Sequence, residues 1–491
     1  MSSSAAPAES TFDVIVTGAG AIGENVADRA VQGGLSAALV EAELVGGECS
    51  YWACMPSKAL LRSGAVLRAA QKVGGAREAI TGDIDVEAVL NRRNKTVNDY
   101  KDDSQAEWVD GAGITLVRGH ARFTGVKTLS VTDAQGNVSH LTARHAIVVS
   151  TGSAALLPDI PGLRDSAPWT SREATSATSI PARLAIMGGG VVGAEMATAY
   201  ASLGSKVTVL SRSELLSNQE PFAGEMVRDS LVELGAEVKI GVSATRVIRN
   251  GSGGEVTLTL DDGSELVVDE LLVATGRVPN TGDLGLDMIG LEPHSWLDVD
   301  DTMLVTPGDN DALAGGWLYA TGDVNHRALL THQGKYQARA AGDVIVARAL
   351  GKPLSTGAWG AHVATADHEA VPQVTFTDPE VASVGLTEAA AKKAGYRVKA
   401  VDYNIGWVAG ASVTADGYAG TAKMVVDEDR QVVLGVTFVG QDVAELLHSA
   451  TIAVVGQVPL NRLWHAVPSY PTISEVWLRL LETYGRDASS H

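Results

Sequence analysis

Two stretches of this chain follow one plan, and together they restrict the fold more than anything else in the sequence. Residues 12–23 read FDVIVTGAGAIG, an apolar run ending in Gly18, Gly20 and Gly23. Residues 183–193 read RLAIMGGGVVG, a second apolar run ending in Gly188, Gly190 and Gly193. Each run predicts a strand, each is followed by a helix-like segment, and each helix leads to another apolar run, LSAALVE or SKVTVLS. One GxGxxG arises readily by chance in a chain with 53 glycines. Two of them, each set between strand and helix in a βαβ-sized unit, match the dinucleotide-binding plan. There the glycines bring the turn and helix close to a pyrophosphate resting on the helix N-terminus. Gly18, Gly20, Ala21, Ile22 and Gly23, and Gly188, Gly190, Val191, Val192 and Gly193, are the candidate cradles.

The units differ at the end of their second strand. Glu41 closes the first, whereas Ser211 followed by Arg212 closes the second. A carboxylate there accepts hydrogen bonds from ribose hydroxyls and repels a 2′-phosphate, which prefers an arginine. The first unit is therefore expected to hold an adenosine with free ribose hydroxyls, as in FAD. The second is expected to prefer NADPH, with NADH as the alternative. Three further apolar runs end in Thr-Gly: HAIVVSTGS (145–153), ELLVATGRVPN (270–280) and GWLYATGD (316–323). They predict strands that approach a ligand closely, and Asp323 is placed to bond a ribityl or ribose hydroxyl. Their interleaving with the two units implies that a late return of the chain completes one domain.

At 491 residues the chain is long enough for about three domains. A net charge of −20 argues against nucleic acid and against an anionic membrane surface as partners. No apolar run is long enough to span a membrane. The start, MSSSAAPAES, lacks the basic and apolar regions of a signal peptide, so residues 1–10 are expected to be a disordered tail and the protein cytoplasmic. Only two cysteines occur, Cys49 and Cys54 in GGECSYWACMPSK (46–58). In a reducing compartment such a close pair points to catalysis or metal binding rather than a structural bridge.

The order of these motifs, ending in TFTDPEVASVGLTE at 375–388, resembles the pyridine nucleotide–disulfide oxidoreductases, the flavoprotein family of glutathione reductase, lipoamide dehydrogenase and mercuric reductase. The resemblance covers about residues 12–480. It implies an α/β fold with two Rossmann-like dinucleotide-binding domains and a C-terminal α+β dimerisation domain. On that plan residues 11–157 and 281–350 bind FAD, 158–280 bind the pyridine nucleotide, and 355–491 form the dimer interface. It implies FAD contacts at the first glycine turn and at Glu41, Ala42, Gly47, Glu48, Lys58, His120, Ala121, Thr151, Gly152, Ser153 and Asp323. The pyridine nucleotide falls to Gly188–Gly193, Glu195, Ser211, Arg212, Gly276 and Arg277.

The family places a Cys-x4-Cys pair over the flavin. The resemblance implies that Cys54 exchanges electrons with the flavin as a thiolate and that Cys49 is the outer thiol that attacks the substrate. It also implies that Lys58, one helical turn after Cys54, pairs with Glu195 near the flavin. A helix N-terminus at the cysteines would lower a thiol pKa. Zinc is not expected, because two sulfurs need two further ligands and no nearby CxxC or histidine supplies them.

The C-terminal segment departs from the family. A His-x-His-Pro-Thr-x-Ser-Glu segment normally supplies an acid–base histidine there, oriented by the glutamate. Here residues 465–475 read HAVPSYPTISE. Counting back from Glu475 puts Tyr470 at the base position; an alternative frame keeps His465 and leaves Val467 there. A tyrosine is a poor base at neutral pH but an adequate proton donor. No cysteine follows Cys54, which argues against mercuric ion reduction by the family's C-terminal cysteine pair. The missing base argues against lipoamide oxidation. The expected activity is electron transfer from NADPH through FAD to Cys49–Cys54 and on to a disulfide-type or other small electrophilic acceptor, in a homodimer without a metal. A quinone or dye reductase, a dihydrolipoamide dehydrogenase and a non-catalytic redox sensor are the alternatives.

Overall fold

The structure, a computed structural model, describes residues 9–486. Of residues 1–10, expected as a disordered tail, 1–8 lie outside the described residues, whereas Glu9 and Ser10 belong to the first strand, β1 (Glu9–Thr17). The chain divides into two compact units.

The first unit comprises residues 1–56, 94–155 and 277–367. Its sheet has seven strands. β1 pairs in parallel with β2 (Ala37–Glu41) on one side and with the strand Val138–Val149 on the other. Thr115–Arg118 extends the sheet beyond β2, and Leu318–Ala320 joins Val138–Val149 in parallel. Val138–Val149 changes character along its length. Its first residues alternate in exposure and pair antiparallel with Thr128–Thr132, whereas its last four are buried on both faces. That is the pattern expected where a one-sided antiparallel ladder passes into a covered parallel one. The helix α1 (Ala21–Gln32) lies against the long helix Thr331–Ala349. The two approach closely because glycines face the contact: a Cβ on Gly334 would fall 2.6 Å from Ile22, and one on Gly342 2.5 Å from Arg29. The Arg29–Asp343 ion pair, 2.5 Å, ties the helices farther along.

The second unit comprises residues 57–93, 156–276 and 368–491. A four-stranded parallel sheet runs in the order Glu237–Ile240, Lys206–Ser211, Arg183–Met187, Glu270–Val273. A five-stranded antiparallel sheet is built around Val432–Gly440, which is buried at all nine positions. The helices Leu447–Val455 and Val476–Tyr484 cover it. Residues 57–93, expected with the FAD segment, pack in this unit, because the helix α3 (Cys54–Gln71) runs out of the first unit just after the cysteines. All three Thr-Gly runs end strands, as their apolar pattern predicts. Among the described residues no helix is long and apolar enough to cross a membrane.

Candidate active site

The two glycine turns have the same geometry. Gly18 sits at φ +96°, and a Cβ on it would lie 2.4 Å from the Ser150 carbonyl oxygen. A Cβ on Gly23 would lie 2.0 Å from the Gly18 carbonyl. In the second unit a Cβ on Gly188 would meet the Ala274 carbonyl at 2.2 Å, and one on Gly193 the Gly188 carbonyl at 2.0 Å. The outer glycines thus let strand, turn and helix close on each other. The middle ones differ, for a Cβ on Gly20 or Gly190 meets no protein atom within 4 Å. These two are the N-caps of α1 and of the helix Val191–Ser202, and no side chain caps either helix. With no side-chain cap and no Cβ at these glycines, the start of each helix is left approachable, the arrangement that receives a phosphate.

Other groups around the first turn suit a nucleotide cofactor. Glu41 accepts from the Ala19 amide at 2.7 Å and from the Glu43 amide at 2.8 Å. A carboxylate has further lone pairs for ribose hydroxyls. Burial raises the Glu41 carboxyl above its usual range, and those two amides oppose it. The Thr151 hydroxyl is buried with no hydrogen-bond partner. Ser153 Oγ donates to Asp323 at 2.5 Å. Arg277, grouped from sequence with the pyridine-nucleotide residues, lies in the first unit. Its strand, Arg277–Pro279, pairs with Ser153–Ala155 in the first unit, and its guanidinium donates to Ser153 Oγ at 2.5 Å. His120 bonds the Asp283 carbonyl at 2.8 Å, and Ala121 is buried in the core of the unit. Gly47 opens the short helix α2 (Gly47–Tyr51), with its Cβ direction toward Gly20. Glu48 and Cys49 follow on α2, and Ala42 lies in the loop before it.

Cys49 on α2 and Cys54 at the start of α3 are both half-buried free thiols. A hydrogen bond to Cys54 and burial push the Cys49 thiol up, while Thr331 and Lys335 pull the other way. The two sulfurs are thus within hydrogen-bonding reach of each other. Cys54 Sγ also lies 3.4 Å from Thr331 Oγ1, at the start of the long helix.

Within the second unit, Lys58 Nζ lies 2.8 Å from Glu195 Oε2 and 3.0 Å from Oε1. Glu195 is almost wholly buried and also accepts the Phe376 amide at 2.9 Å. The Lys58 ammonium sits 5.0 Å above the Phe376 ring. The structure thus brings together the two residues that the motif order pairs. Ser211 is buried and donates to the Ser213 carbonyl at 2.7 Å, while Arg212 is exposed.

The C-terminal candidates do not assemble within this chain. Tyr470 is 77% exposed, Val467 84%, and His465 is exposed as well. Glu475 is buried but accepts from Arg479 at 2.6 Å, and among the described residues it bonds neither Tyr470 nor His465. Its other oxygen is buried with no hydrogen-bond partner.

The profile of the pyridine nucleotide-disulphide oxidoreductases matches residues 12–342, and that of their dimerisation domain matches 371–480. The chain belongs to this family of FAD enzymes. It is 31% identical to a mercuric reductase of Lysinibacillus sphaericus over 487 residues, 98% of this chain and 84% of that one. It is 33% identical to a dihydrolipoyl dehydrogenase of Halobacterium salinarum, over 96% of this chain and 95% of the relative. The fold is also that of the Cu(II) complex of the HOCl-induced flavoprotein disulfide reductase RclA from Escherichia coli. The TM-score is 0.80 at 23% identity, over 96% of this chain and 99% of that one.

Within the family frame, four site residues carry no signal in the sequence: Glu24, Thr331, Lys335 and Phe376. Phe376 and Thr331 stand in or near the runs TFTDPE and GWLYATGD, but contribute through a backbone amide and a single hydroxyl, which no spacing rule marks. Glu24 directly follows the first glycine turn and is half-buried, with its Oε1 shielded from solvent. Burial raises its carboxyl to about 7 against the opposing charge of Lys335.

Proposed function

We propose that the protein is a homodimeric, NADPH-dependent flavoprotein that reduces a disulfide or other small electrophile through Cys49 and Cys54. One observation carries the reading: two half-buried thiols stand on adjacent helices, within hydrogen-bonding reach of each other, in the unit that holds the first glycine cradle. On this reading residues 11–157 and 281–350 hold FAD, 158–280 hold the pyridine nucleotide, and 355–491 form the dimer interface. The cofactors supply hydride transfer.

The chain's own residues bind, orient and move protons. The amides at Gly20 and Ala21 receive the FAD pyrophosphate, Glu41 and Asp323 take sugar hydroxyls, and Thr151 gains the partner it lacks. Gly190 and Val191 receive the second dinucleotide. Lys58, fixed by Glu195 and by the Phe376 ring, presents a positive charge one turn after Cys54. Cys54 exchanges electrons and Cys49 is the sulfur presented to the acceptor. Exposed Tyr470, Val467 and Ile452 supply apolar area for a partner subunit.

Anaerobic titration with NADPH tests this reading. Two new thiols per FAD are expected on reduction, followed by reoxidation in a screen of small disulfides, lipoamide, mercuric ion and quinones. Reoxidation by quinones in the absence of any new thiols would replace this reading with the quinone reductase. Reduction without turnover of any acceptor would favour a sensor.

Arg212 sets the nucleotide preference. It is exposed at the strand end where Glu41 stands in the other unit, so NADPH should exceed NADH in kcat/KM on the order of tenfold, the size of one charged contact. Arg212→Ala should remove most of that gap, and equal use of both nucleotides by the wild type contradicts the assignment.

Tyr470 tests the proton route. Tyr470→Phe should slow acceptor reduction while leaving flavin reduction by NADPH unchanged in stopped flow, since a phenol donates a proton but accepts one poorly at pH 7. If Tyr470→Phe is silent and His465→Ala abolishes turnover, His465 carries the proton instead.

A further inference from the structure

We propose that Lys335 is a positioning cation for the reduced Cys49–Cys54 pair, holding the negative charge that the two sulfurs share, with Glu24 on α1 as its buried counter-group. This inference deepens the dithiol reading above and rests on it.

Three placements carry it. Thr331 touches Cys54 through its hydroxyl at 3.4 Å, and Lys335 stands one turn later on the same helix, so both project from one face. Lys335 acts electrostatically on Cys49, drawing its thiol down. The helix face that carries it packs directly on the first turn of α1, where Gly334 meets Ile22. Two residues after Ile22 is Glu24, whose Oε1 is buried with no hydrogen-bond partner and which also feels Lys335. Lys335 thus stands on a helix that touches the redox pair at Thr331 and the first turn of α1 at Gly334, near a carboxylate with one unsatisfied oxygen.

The charge balance of the reaction gives this cation its work. Bound FAD and a dihydronicotinamide would supply a hydride equivalent, and reduction of a Cys49–Cys54 disulfide by it breaks the sulfur–sulfur bond. One sulfur takes the proton and the other keeps the electron pair as thiolate, so the pair gains one negative charge. Lys335 stabilises that charge. Glu24 is mostly protonated below pH 7 and leaves the ammonium to the sulfurs; once ionised, it competes for it. The other titratable groups on the packed elements include Asp28 and Arg29 on α1, Glu41 at the end of β2 and Glu43 after it, Glu48 and Tyr51 on α2, Lys58 on α3, His332, Arg339, Asp343 and Arg348 on the long helix, and Asp102, Asp103 and Arg118, whose charges act on Tyr51. Among these, Arg118 is tied to Asp102 at 2.7 Å and so is not available to the sulfurs.

The test follows the pH dependence of the thiolate-to-flavin charge-transfer absorbance in the NADPH-reduced holoenzyme. Lys335→Met should raise its midpoint by about one pH unit or more, the usual effect of an opposite charge at close range, and Lys335→Arg should restore it. Glu24→Gln should remove a second inflection near neutral pH that the wild type shows. An unchanged midpoint in Lys335→Met overturns the role of Lys335, and persistence of the inflection in Glu24→Gln overturns that of Glu24. Either result leaves the dithiol reading standing. A wild type that forms neither thiols nor the band on reduction sinks that reading itself. Should Lys335→Met lose FAD, the pH profile of iodoacetamide alkylation at Cys49 in the reduced, FAD-free proteins decides. Matching profiles with and without Lys335 overturn the proposal.

Discussion

Cys54→Ser is expected to lower turnover of disulfide acceptors by at least about a thousandfold, because no sulfur remains to close the bond that carries two electrons. The single mutants should not look alike. In Cys54→Ser the reduced protein loses its long-wavelength charge-transfer absorbance. In Cys49→Ser, Cys54 no longer has a thiol to bond with and should stand as a thiolate beside the flavin, showing the absorbance without any reductant. The asymmetry expected from the family roles agrees with the placement of the two sulfurs: Cys54 opens α3 and its sulfur lies 3.4 Å from the Thr331 hydroxyl, whereas Cys49 stands on α2. Identical spectra for the two mutants would overturn the assigned roles. Residual dye reduction in both would reveal electrons leaving from the flavin.

The second large effect is expected at Gly18, where alanine should yield a colourless protein that does not take up added FAD. A side chain at φ +96° is strained by on the order of 1–3 kcal/mol, and its Cβ would also overlap the Ser150 carbonyl at 2.4 Å. Gly20→Ala separates loss of cofactor from loss of fold. Its Cβ meets no protein atom, so the FAD-free protein should melt at the wild-type temperature while FAD affinity falls strongly, because the added methyl occupies the space in front of the helix amides. Normal FAD binding by Gly20→Ala would place the pyrophosphate elsewhere.

Much of this architecture could be read from the sequence because its constraints are local. The two glycine turns, the Thr-Gly strand ends and the Cys-x4-Cys run each encode their geometry within a dozen residues. The match between Gly18 against Ser150 and Gly188 against Ala274 shows why the Thr-Gly runs accompany the glycine turns: each runs past the first glycine with no room for a Cβ. What escaped depends on long-range packing. Arg277 follows a pyridine-side motif in sequence, but its strand pairs with Ser153–Ala155, which commits it to the first unit. The helices that carry Glu24 and Lys335 approach closely only because glycines on one admit the other. The grouping of residues 57–93 likewise reflects where α3 leads after Cys54, which hydrophobic periodicity alone does not encode. The C-terminal register stayed open for a different reason. Tyr470 and His465 project away from their own chain, so the packing that would choose between them is not contributed by it.

The interleaved layout of the first sheet has a consequence for how the protein is made. Val149 closes one strand, yet its parallel neighbour begins only at Leu318, and the helix that seats Lys335 ends at Ala349. At 5–20 residues per second on a ribosome, that neighbour arrives roughly 8–35 seconds later. Throughout this interval the inner end of Val138–Val149 presents an open, wholly apolar edge, while residues 156–276 have already left the exit tunnel and can collapse on their own. Nascent chains stalled shortly before residue 318 should accordingly recruit holding chaperones and aggregate when released, whereas chains carried past residue 350 should be the earliest to retain FAD.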